Sequence, residues 1–188
     1  MKKKQALGIY VHIPFCEKKC DYCDFLSGPA NNKTKDNYVQ AILSEIKSYK
    51  EPMQEYLVKT IFIGGGTPSS IQAEYIAKIL ETIKKSFFVE AEEITIEVNP
   101  CSITRDKLLT YKESGVNRLS IGLQSVNNEE LKLLGRIHTY EEFLENYKLA
   151  RSIGYDNINI DLMSGLADQS IEDWENTLRK VTNLNPEH

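Results

Sequence analysis

The 188-residue sequence lacks a large excess of charge of either sign, a long hydrophobic run and a secretory signal. Its net charge of -4 gives no electrostatic reason to expect nucleic acid or an acidic membrane surface as a partner. No stretch reaches the apolar length that a transmembrane helix needs. The initial MKKK precedes no apolar run of signal-peptide length and is interpreted as a solvated tail. These absences predict a cytoplasmic protein without a transmembrane segment.

Cysteine is also scarce, since the chain has four, but Cys16, Cys20 and Cys23 lie together in HIPFCEKKCDYCDF. Without a secretory signal, such thiols are metal ligands or redox groups rather than a disulfide framework. Three thiolates suit either zinc or an iron–sulfur cluster. A structural zinc site needs four ligands, and His12 is the available fourth, although it belongs to the strand before the loop. Spacing alone favours the cluster and leaves zinc open.

Short β-branched runs alternate with helical patterns along the whole chain, which contains no linker and no repeat of fixed period. This alternation predicts one α/β domain over 1–188 with a parallel sheet, either open and doubly wound or curved into a barrel. The predicted strands are 7–13, 59–64, 93–98, 117–123 and 156–163. The predicted helices lie near 35–50, 71–83, 104–114, 139–153 and 171–183.

Several helix ends carry capping signals. Asn127 with Glu130, and Thr139 with Glu142, have the spacing of a capping box. Gly154 follows the helix that begins after Thr139, where a left-handed residue is wanted. The last helix is predicted to face inward through Trp174, Leu178 and Val181.

Polar and glycine-rich segments follow every predicted strand, and ligands gather at the carboxyl ends of parallel strands. These segments are the cysteine loop, GGGTPS, EVNP, GLQS and DLMSG. The glycines of IGGGTPSS fit a tight turn or a close approach of backbone to a ligand. Glu97 alternates with the apolar residues of its strand, and a carboxylate there needs a partner, either an internal salt bridge or a cationic ligand. We therefore expect one composite site at this edge of the sheet.

The motif CEKKCDYC is C-x3-C-x2-C, and it resembles the signature of the radical S-adenosylmethionine (radical SAM) enzymes. With YVHIPFC before it and CDF after it, the chain resembles the oxygen-independent coproporphyrinogen III oxidase family, including its haem-chaperone branch, over nearly its whole length. The resemblance implies a radical SAM oxidoreductase-like protein with a barrel-type core. Its cofactors would be a [4Fe–4S] cluster and S-adenosylmethionine, which is cleaved reductively to a 5′-deoxyadenosyl radical.

The resemblance also implies roles for single residues. Cys16, Cys20 and Cys23 would hold the cluster, with one iron left open for S-adenosylmethionine. Tyr10 is expected to lie near that cofactor, and Tyr22 is expected to pack beside its adenine. Gly65, Gly66 and Thr67 are expected near its ammonium, and Glu97 is expected to contact the cofactor. Arg136 would bind its carboxylate, and Gln124 and Asp161 would bind its ribose.

Two departures from the family bear on function. Members that decarboxylate usually have a further cysteine two positions after the third, where this chain has Phe25, so CDF resembles the haem-chaperone branch. Only five β/α units are recognisable, so we expect a truncated core whose fifth strand lacks an outer neighbour. Three hypotheses remain: a radical enzyme acting on coproporphyrinogen, a haem chaperone, and a redox-inert zinc module. The first two imply porphyrin or haem as substrate or cargo and a reduced electron donor such as flavodoxin or ferredoxin.

Three further residues are given no role. His138 precedes a predicted helix and is expected at the surface. Cys101 has no neighbouring thiol in the sequence and is interpreted as incidental. His188 carries no signal.

Overall fold

The computed structural model describes residues 4–188, so most of the predicted N-terminal tail (residues 1–3) lies outside the described residues. The strands are β1 (Gln5–Ile13), β2 (Tyr56–Gly65), β3 (Val89–Val98), β4 (Arg118–Gln124) and β5 (Ile158–Leu162). The helices are α1 (Asn32–Ser48), α2 (Ala73–Ser86), α3 (Arg105–Glu113), α4 (Asn128–Leu133), α5 (Tyr140–Ile153) and α6 (Ile171–Thr182). Short 3-10 turns occupy Pro68–Ser70 and Pro100–Ser102.

The five strands form one parallel sheet in the order β1-β2-β3-β4-β5. This confirms the predicted α/β class and decides between its two forms. A doubly wound sheet reverses its strand order at a switch point, whereas here every strand is added on the same side. The chain therefore follows the winding of a barrel, of which five β/α units are present.

The two faces of the sheet differ because side chains alternate along each strand. One face is buried under the helices, and in β3 it carries Ile94, Ile96 and Val98. Helices α1, α2, α3 and α5 contact one another in that order, so they form one layer on this face. The opposite face carries polar residues toward the strand ends, and there the predicted site forms.

The capping signals give mixed results. Thr139 and Glu142 form the predicted capping box, and Gly154 ends α5 in the left-handed region with φ 91°. Asn127 caps α4 by accepting from the backbone of Glu129, but it forms no box with Glu130. The Glu130 carboxylate is buried instead and accepts from Ser125 at 2.5 Å. The same carboxylate accepts from Gln169 Nε2 at 3.0 Å, so one local and one tertiary contact replace the second hydrogen bond of the predicted box.

The inward face of α6 differs from the prediction. Leu178 is 39% exposed, and the buried residues of this helix are Thr177 and Val181, one turn apart. Trp174 is half-buried. The buried face of α6 is therefore narrower than the face that its apolar residues predict.

Within residues 4–188, β5 is an edge strand without an outer strand beside it, as expected, and residues 187–188 satisfy part of its outer edge. The backbone N–H of Ile160 donates to the carbonyl of His188, and the N–H of His188 donates to the carbonyl of Ile158. Glu187 accepts from the N–H of Ile158 and forms an ion pair with Arg151 at 2.9 Å. His188, which carried no sequence signal, therefore pairs with the backbone of β5 in a parallel pattern. None of the helices in residues 4–188 is long and apolar enough to cross a membrane.

Candidate functional site

A cavity lies at the carboxyl ends of the strands and is bounded on one side by the loop of residues 16–25. It collects all the predicted site residues except Tyr10. Its walls are formed by Cys16, Lys18, Lys19, Cys20, Tyr22, Cys23, Phe25, Gly65, Gly66, Thr67, Glu97, Val98, Asn99, Ser120, Gly122, Gln124, Arg136 and Asp161. The structure thus brings these residues together around one cavity, and their function as a site stays a prediction.

The cysteine loop is anchored by backbone hydrogen bonds at its base and at its middle. The N–H of Cys16 donates to the carbonyl of Gly28, and the N–H of Gly28 donates to the carbonyl of Pro14. Farther along, the N–H of Asp21 donates to Leu134, just beyond α4. All three loop cysteines are free thiols. The loop therefore presents its thiols to the cavity without relying on a disulfide.

Polar groups from other elements approach two of the sulfur atoms. Thr67 Oγ1 lies 3.5 Å from Cys16 Sγ, and Arg136 Nη1 lies 3.7 Å from Cys20 Sγ. The thiolate is the form of cysteine that binds metals, and a thiolate sulfur can accept hydrogen bonds from such donors. The surroundings of the loop thus suit thiolate ligands.

The contacts of His12 do not place it as a fourth zinc ligand. Both ring nitrogens of His12 have partners outside the loop cysteines, Nδ1 with Tyr10 Oη at 3.1 Å and Nε2 with the carbonyl of Leu26 at 3.2 Å. Within residues 4–188, no three His, Cys, Asp or Glu side chains converge on a single metal-ion position. The thiolates that hold a four-iron cluster bind separate irons and do not need to converge in this way.

The glycine turn after β2 brings backbone against the cysteine loop. A Cβ atom on Gly66 would lie 2.8 Å from the Phe15 carbonyl oxygen and 2.9 Å from Cys16 Sγ. Gly65 adopts φ 120°, which side chains with a Cβ rarely reach. The structure therefore shows a tight turn whose backbone packs against the cysteine loop, and the approach of this backbone to a ligand stays a prediction.

Glu97 lies at the centre of the cavity wall. Its Oε2 accepts from the N–H of Gly65 at 2.9 Å, and within residues 4–188 it forms no ion pair. A Cβ atom on Gly64 would lie 2.9 Å from the Glu97 carboxylate, so that glycine makes room for it. Burial raises the pKa of Glu97, and the nearby Asp161 carboxylate raises it further. Within residues 4–188 the internal salt bridge considered from the sequence is not formed, and a cationic ligand stays a prediction.

Strand pairing sets Glu97 beside Ser120 and sets Gly122 beside Asp161. Asn159 Nδ2 donates to Asp161 Oδ1 at 2.5 Å, and Ser120 Oγ lies 3.3 Å from Asp161 Oδ2. These contacts orient the Asp161 carboxylate from two strands. Asp161 is thus the second carboxylate of the cavity wall, beside Glu97.

Gln124 and Arg136 form the wall across from the glycine turn. Gln124 has a φ of 75°, an uncommon value for a residue with a side chain, and lies where β4 ends. Arg136 donates through Nη2 to the Gly122 carbonyl, while its buried Nε has no partner within residues 4–188. Burial raises the pKa of Tyr22, and the neighbouring Arg136 opposes that rise. An unpartnered guanidinium N–H at a cavity suits an anionic group such as a carboxylate.

Tyr10 is the one predicted site residue outside the cavity wall. It is 58% exposed, and its ring stacks on Phe62 with ring centroids 6.0 Å apart. Its hydroxyl contacts His12, and its pKa is raised by burial and by the nearby carboxylate of Glu97, which lines the cavity.

His138 corrects the sequence interpretation, because it is 3% exposed rather than at the surface. Its Nε2 lies 3.3 Å from the carbonyl of Leu123, at the end of β4. Burial, assisted by the charge of Arg136, lowers the pKa of His138 to about 4.

Cys101 lies outside the cavity wall, and its thiol contacts Asn99 Oδ1 at 3.3 Å.

The sequence interpretation missed several wall residues. Ser120 and Gly122 share a face with Gln124 through the two-residue alternation of SIGLQ, and that alternation is the signal that would have found them. Lys18, Lys19 and Asn99 adjoin residues that had been singled out. No sequence pattern distinguishes them from ordinary loop residues.

The fold and site define a class of protein: a partial parallel β/α barrel with a three-cysteine loop and a polar cavity at its strand ends. The chain belongs to the radical SAM superfamily, because the sequence model of that superfamily matches residues 10–181.

The comparisons also give nearer relatives. Heme chaperone HemW of Escherichia coli (strain K12) is 43% identical over 100% of this chain and 50% of the relative. HemW of Haemophilus influenzae is 38% identical over 100% of this chain and 51% of the relative. The solved structure of coproporphyrinogen III oxidase (HemN) from Escherichia coli matches with a TM-score of 0.90 at 34% identity, over 98% of this chain and 43% of that one. The chain spans about half the length of the curated relatives it matches.

These matches confirm the partial-barrel fold and the cofactors expected from the sequence, since radical SAM proteins bind a [4Fe–4S] cluster and S-adenosylmethionine. The residues present fit both groups. Three free thiols border the cavity, backbone approaches Cys16 where a Cβ atom would not fit, and the buried Nε of Arg136 is unpartnered.

Proposed function

We propose that this chain is the radical SAM core of a haem chaperone. The observation that carries the proposal is Phe25, which stands two positions after Cys23, where decarboxylating members of the family usually have a cysteine. Phe25 lines the cavity and is 68% exposed. The similarity to HemW proteins over the whole chain supports the same branch.

The proposal assigns the cavity residues as the sequence predicts. Cys16, Cys20 and Cys23 hold the cluster, and with S-adenosylmethionine bound the site supplies reductive cleavage of the sulfonium. Glu97 and Asp161 place negative charge near the cationic cofactor, and Asp161 with Gln124 offers acceptors to its ribose hydroxyls.

The remaining walls of the cavity complete the binding site. Arg136, which lines the cavity, pairs with the carboxylate through its guanidinium, and Tyr22 packs beside the adenine. Gly65, Gly66 and Thr67 offer backbone and hydroxyl groups to the ammonium. Tyr10 acts through His12 rather than by direct contact.

A second candidate function is oxidation of coproporphyrinogen, favoured by the match to HemN at a TM-score of 0.90. It uses the same cofactor set and requires a reduced electron donor such as flavodoxin or ferredoxin. The two candidates differ in what the porphyrin is: haem is cargo in the first, and coproporphyrinogen is substrate in the second.

The test uses purified protein carrying this chain, reconstituted anaerobically with iron and sulfide. Haem is titrated and followed by its absorption, and coproporphyrinogen turnover is assayed with a chemical reductant. Stoichiometric haem binding without turnover is the expected result. Turnover that disappears in a Cys16→Ala variant would establish the second candidate in its place.

A matched variant tests the observation behind the proposal. Phe25→Leu keeps an apolar side chain, and Phe25→Cys introduces the thiol of the decarboxylating relatives. Both are expected to retain the cluster, because the three ligand thiols are unchanged. A cluster lost in both variants would show that Phe25 supports the loop instead of marking the branch.

A further inference from the structure

Two lysines from different helices donate to consecutive carbonyls of the turn Pro68–Ser70, which follows the glycine segment of the cavity. Lys107, in α3, donates from Nζ to the carbonyl of Ser69 at 2.5 Å. Lys35, in α1, donates from Nζ to the carbonyl of Ser70 at 3.3 Å. Neither lysine lines the cavity, so neither is placed to touch a ligand there.

These two carbonyls have no backbone donors within residues 4–188. The hydrogen bonds of the 3-10 turn use the carbonyls of Thr67 and Pro68, which accept from Ser70 and Ile71. The next helix begins at Ala73, so the carbonyls of Ser69 and Ser70 are left over at the end of the turn. Carbonyls at such an end attract cations. The lysines therefore supply what the backbone of the turn lacks.

Lys107 is committed to this contact. Its side chain is half-buried, and within residues 4–188 it forms no ion pair. A desolvated ammonium without a carboxylate partner is costly unless it is hydrogen-bonded. Burial lowers the pKa of Lys107, as such a position requires. The hydrogen bond to the carbonyl of Ser69 offsets part of this cost, and the charges of Glu17 and Glu74 offset another part.

The side chain of Ser69 fixes the turn from the opposite direction. It is fully buried, and its Oγ accepts from the N–H of Asn99 at 3.1 Å. The hydroxyl of Ser102 donates to the carbonyl of Asn99, and the Ser69 hydroxyl lies 2.5 Å from Ser102 Oγ. The turn is thereby tied to the end of β3, where Asn99 follows Val98 in the cavity wall.

The turn is continuous with the expected cofactor segment. Thr67 immediately precedes it, donates from its N–H to the carbonyl of Phe15, and touches Cys16 Sγ with its hydroxyl. We propose that Lys107, assisted by Lys35, is a positioning residue that fixes the turn and thereby sets residues 65–67 for S-adenosylmethionine. The inference rests on the assignment of residues 65–67 to that cofactor. It does not depend on whether the porphyrin is cargo or substrate.

The test compares Lys107→Met, which keeps the apolar stem but removes the donor, with Lys107→Arg, which keeps a cationic donor. Cofactor affinity is measured by anaerobic equilibrium dialysis on cluster-loaded protein, with iron content and melting temperature recorded for each variant. We expect Lys107→Met to weaken binding about tenfold, which corresponds to about 1.4 kcal/mol, with the iron content unchanged. Lys107→Arg is expected to restore most of the affinity. Lys35→Met should weaken binding in the same direction but less, because its contact is longer.

Two controls make the outcomes decisive. Lys85→Met makes the same chemical change at an exposed lysine of α2 that pairs with Glu81, and it should leave affinity unchanged. Thr67→Val tests the assignment of residues 65–67 to S-adenosylmethionine. Unchanged affinity in Lys107→Met beside a weakened Thr67→Val would overturn the positioning role. Unchanged affinity in both would overturn the assignment on which it rests. A joint loss of iron and melting temperature in Lys107→Met, unrescued by Lys107→Arg, would also overturn it, because the lysine would then be supporting the fold.

Discussion

Replacing Glu97 with Gln separates two effects of its buried negative charge: the effect on folding stability and the effect on cofactor binding. Gln has nearly the same shape and keeps an oxygen that accepts from the N–H of Gly65, so the contact at 2.9 Å is retained. The substitution removes the negative charge that burial and Asp161 both disfavour. We therefore expect opposite effects on folding and on cofactor binding.

The sign of the folding effect follows from the pKa. Because burial raises the pKa of Glu97 above its unfolded value, the folded protein holds that proton more tightly than the unfolded chain. Its stability contribution is complete below the ordinary range and is lost as the pH rises through the raised pKa. At neutral pH, Glu97→Gln without cofactors should melt at the same temperature as the parent or higher.

The binding effect follows from the charge of the ligand. S-adenosylmethionine carries a sulfonium and an ammonium, and a hydrogen bond to a charged group is worth about 1.5–3 kcal/mol. Losing one such contact predicts about tenfold to a hundredfold weaker binding. Affinity of the parent protein should also fall as the pH drops through the raised pKa of Glu97, and this dependence should vanish in the variant.

The assay pairs anaerobic equilibrium dialysis with thermal melting across pH 4 to 8. Glu93→Gln is the matched control, since Glu93 lies on the same strand, pairs with Arg118 at 3.8 Å and does not line the cavity. Unchanged affinity in Glu97→Gln would show that the cofactor lies elsewhere. A lower melting temperature at neutral pH would refute the inferred sign of the pKa shift.

Three further predictions concern the metal, the carboxylate contact and acid stability. Anaerobically purified protein should be brown, with about four irons per chain. Changing any of the three loop cysteines to Ala should abolish the colour, whereas Cys101→Ala should not. A colourless protein with stoichiometric zinc would reject the radical SAM assignment. Arg136→Ala should weaken S-adenosylmethionine binding about tenfold to a hundredfold with the cluster retained, and unchanged titrations would contradict its placement. Because burial lowers the pKa of His138 from 6.5 to about 4, stability should be lost as the pH falls through that window. His138→Gln should flatten this loss in thermal melts, and an unaltered slope would assign it to other groups.

The sequence by itself determined the elements and the metal loop, because both are local. Helix and strand periods are properties of neighbouring residues, so the five strands were placed within a few residues, and the capping box at Thr139 formed as its spacing predicted. The three thiols lie within eight positions, and no tertiary information is needed to group them. The polar and glycine-rich segments that follow every predicted strand could also be read directly from the sequence.

Only the tertiary structure decided which of those residues contact one another and how deeply each side chain is buried. Strand order ruled out the doubly wound sheet, and register set Glu97 beside Ser120. Packing buried His138, which nothing in its neighbourhood predicts. It also brought Lys107 to a carbonyl 38 positions away in the sequence. Burial and hydrogen bonding across such distances depend on how helices close over the sheet, so they become readable only when the chain is folded.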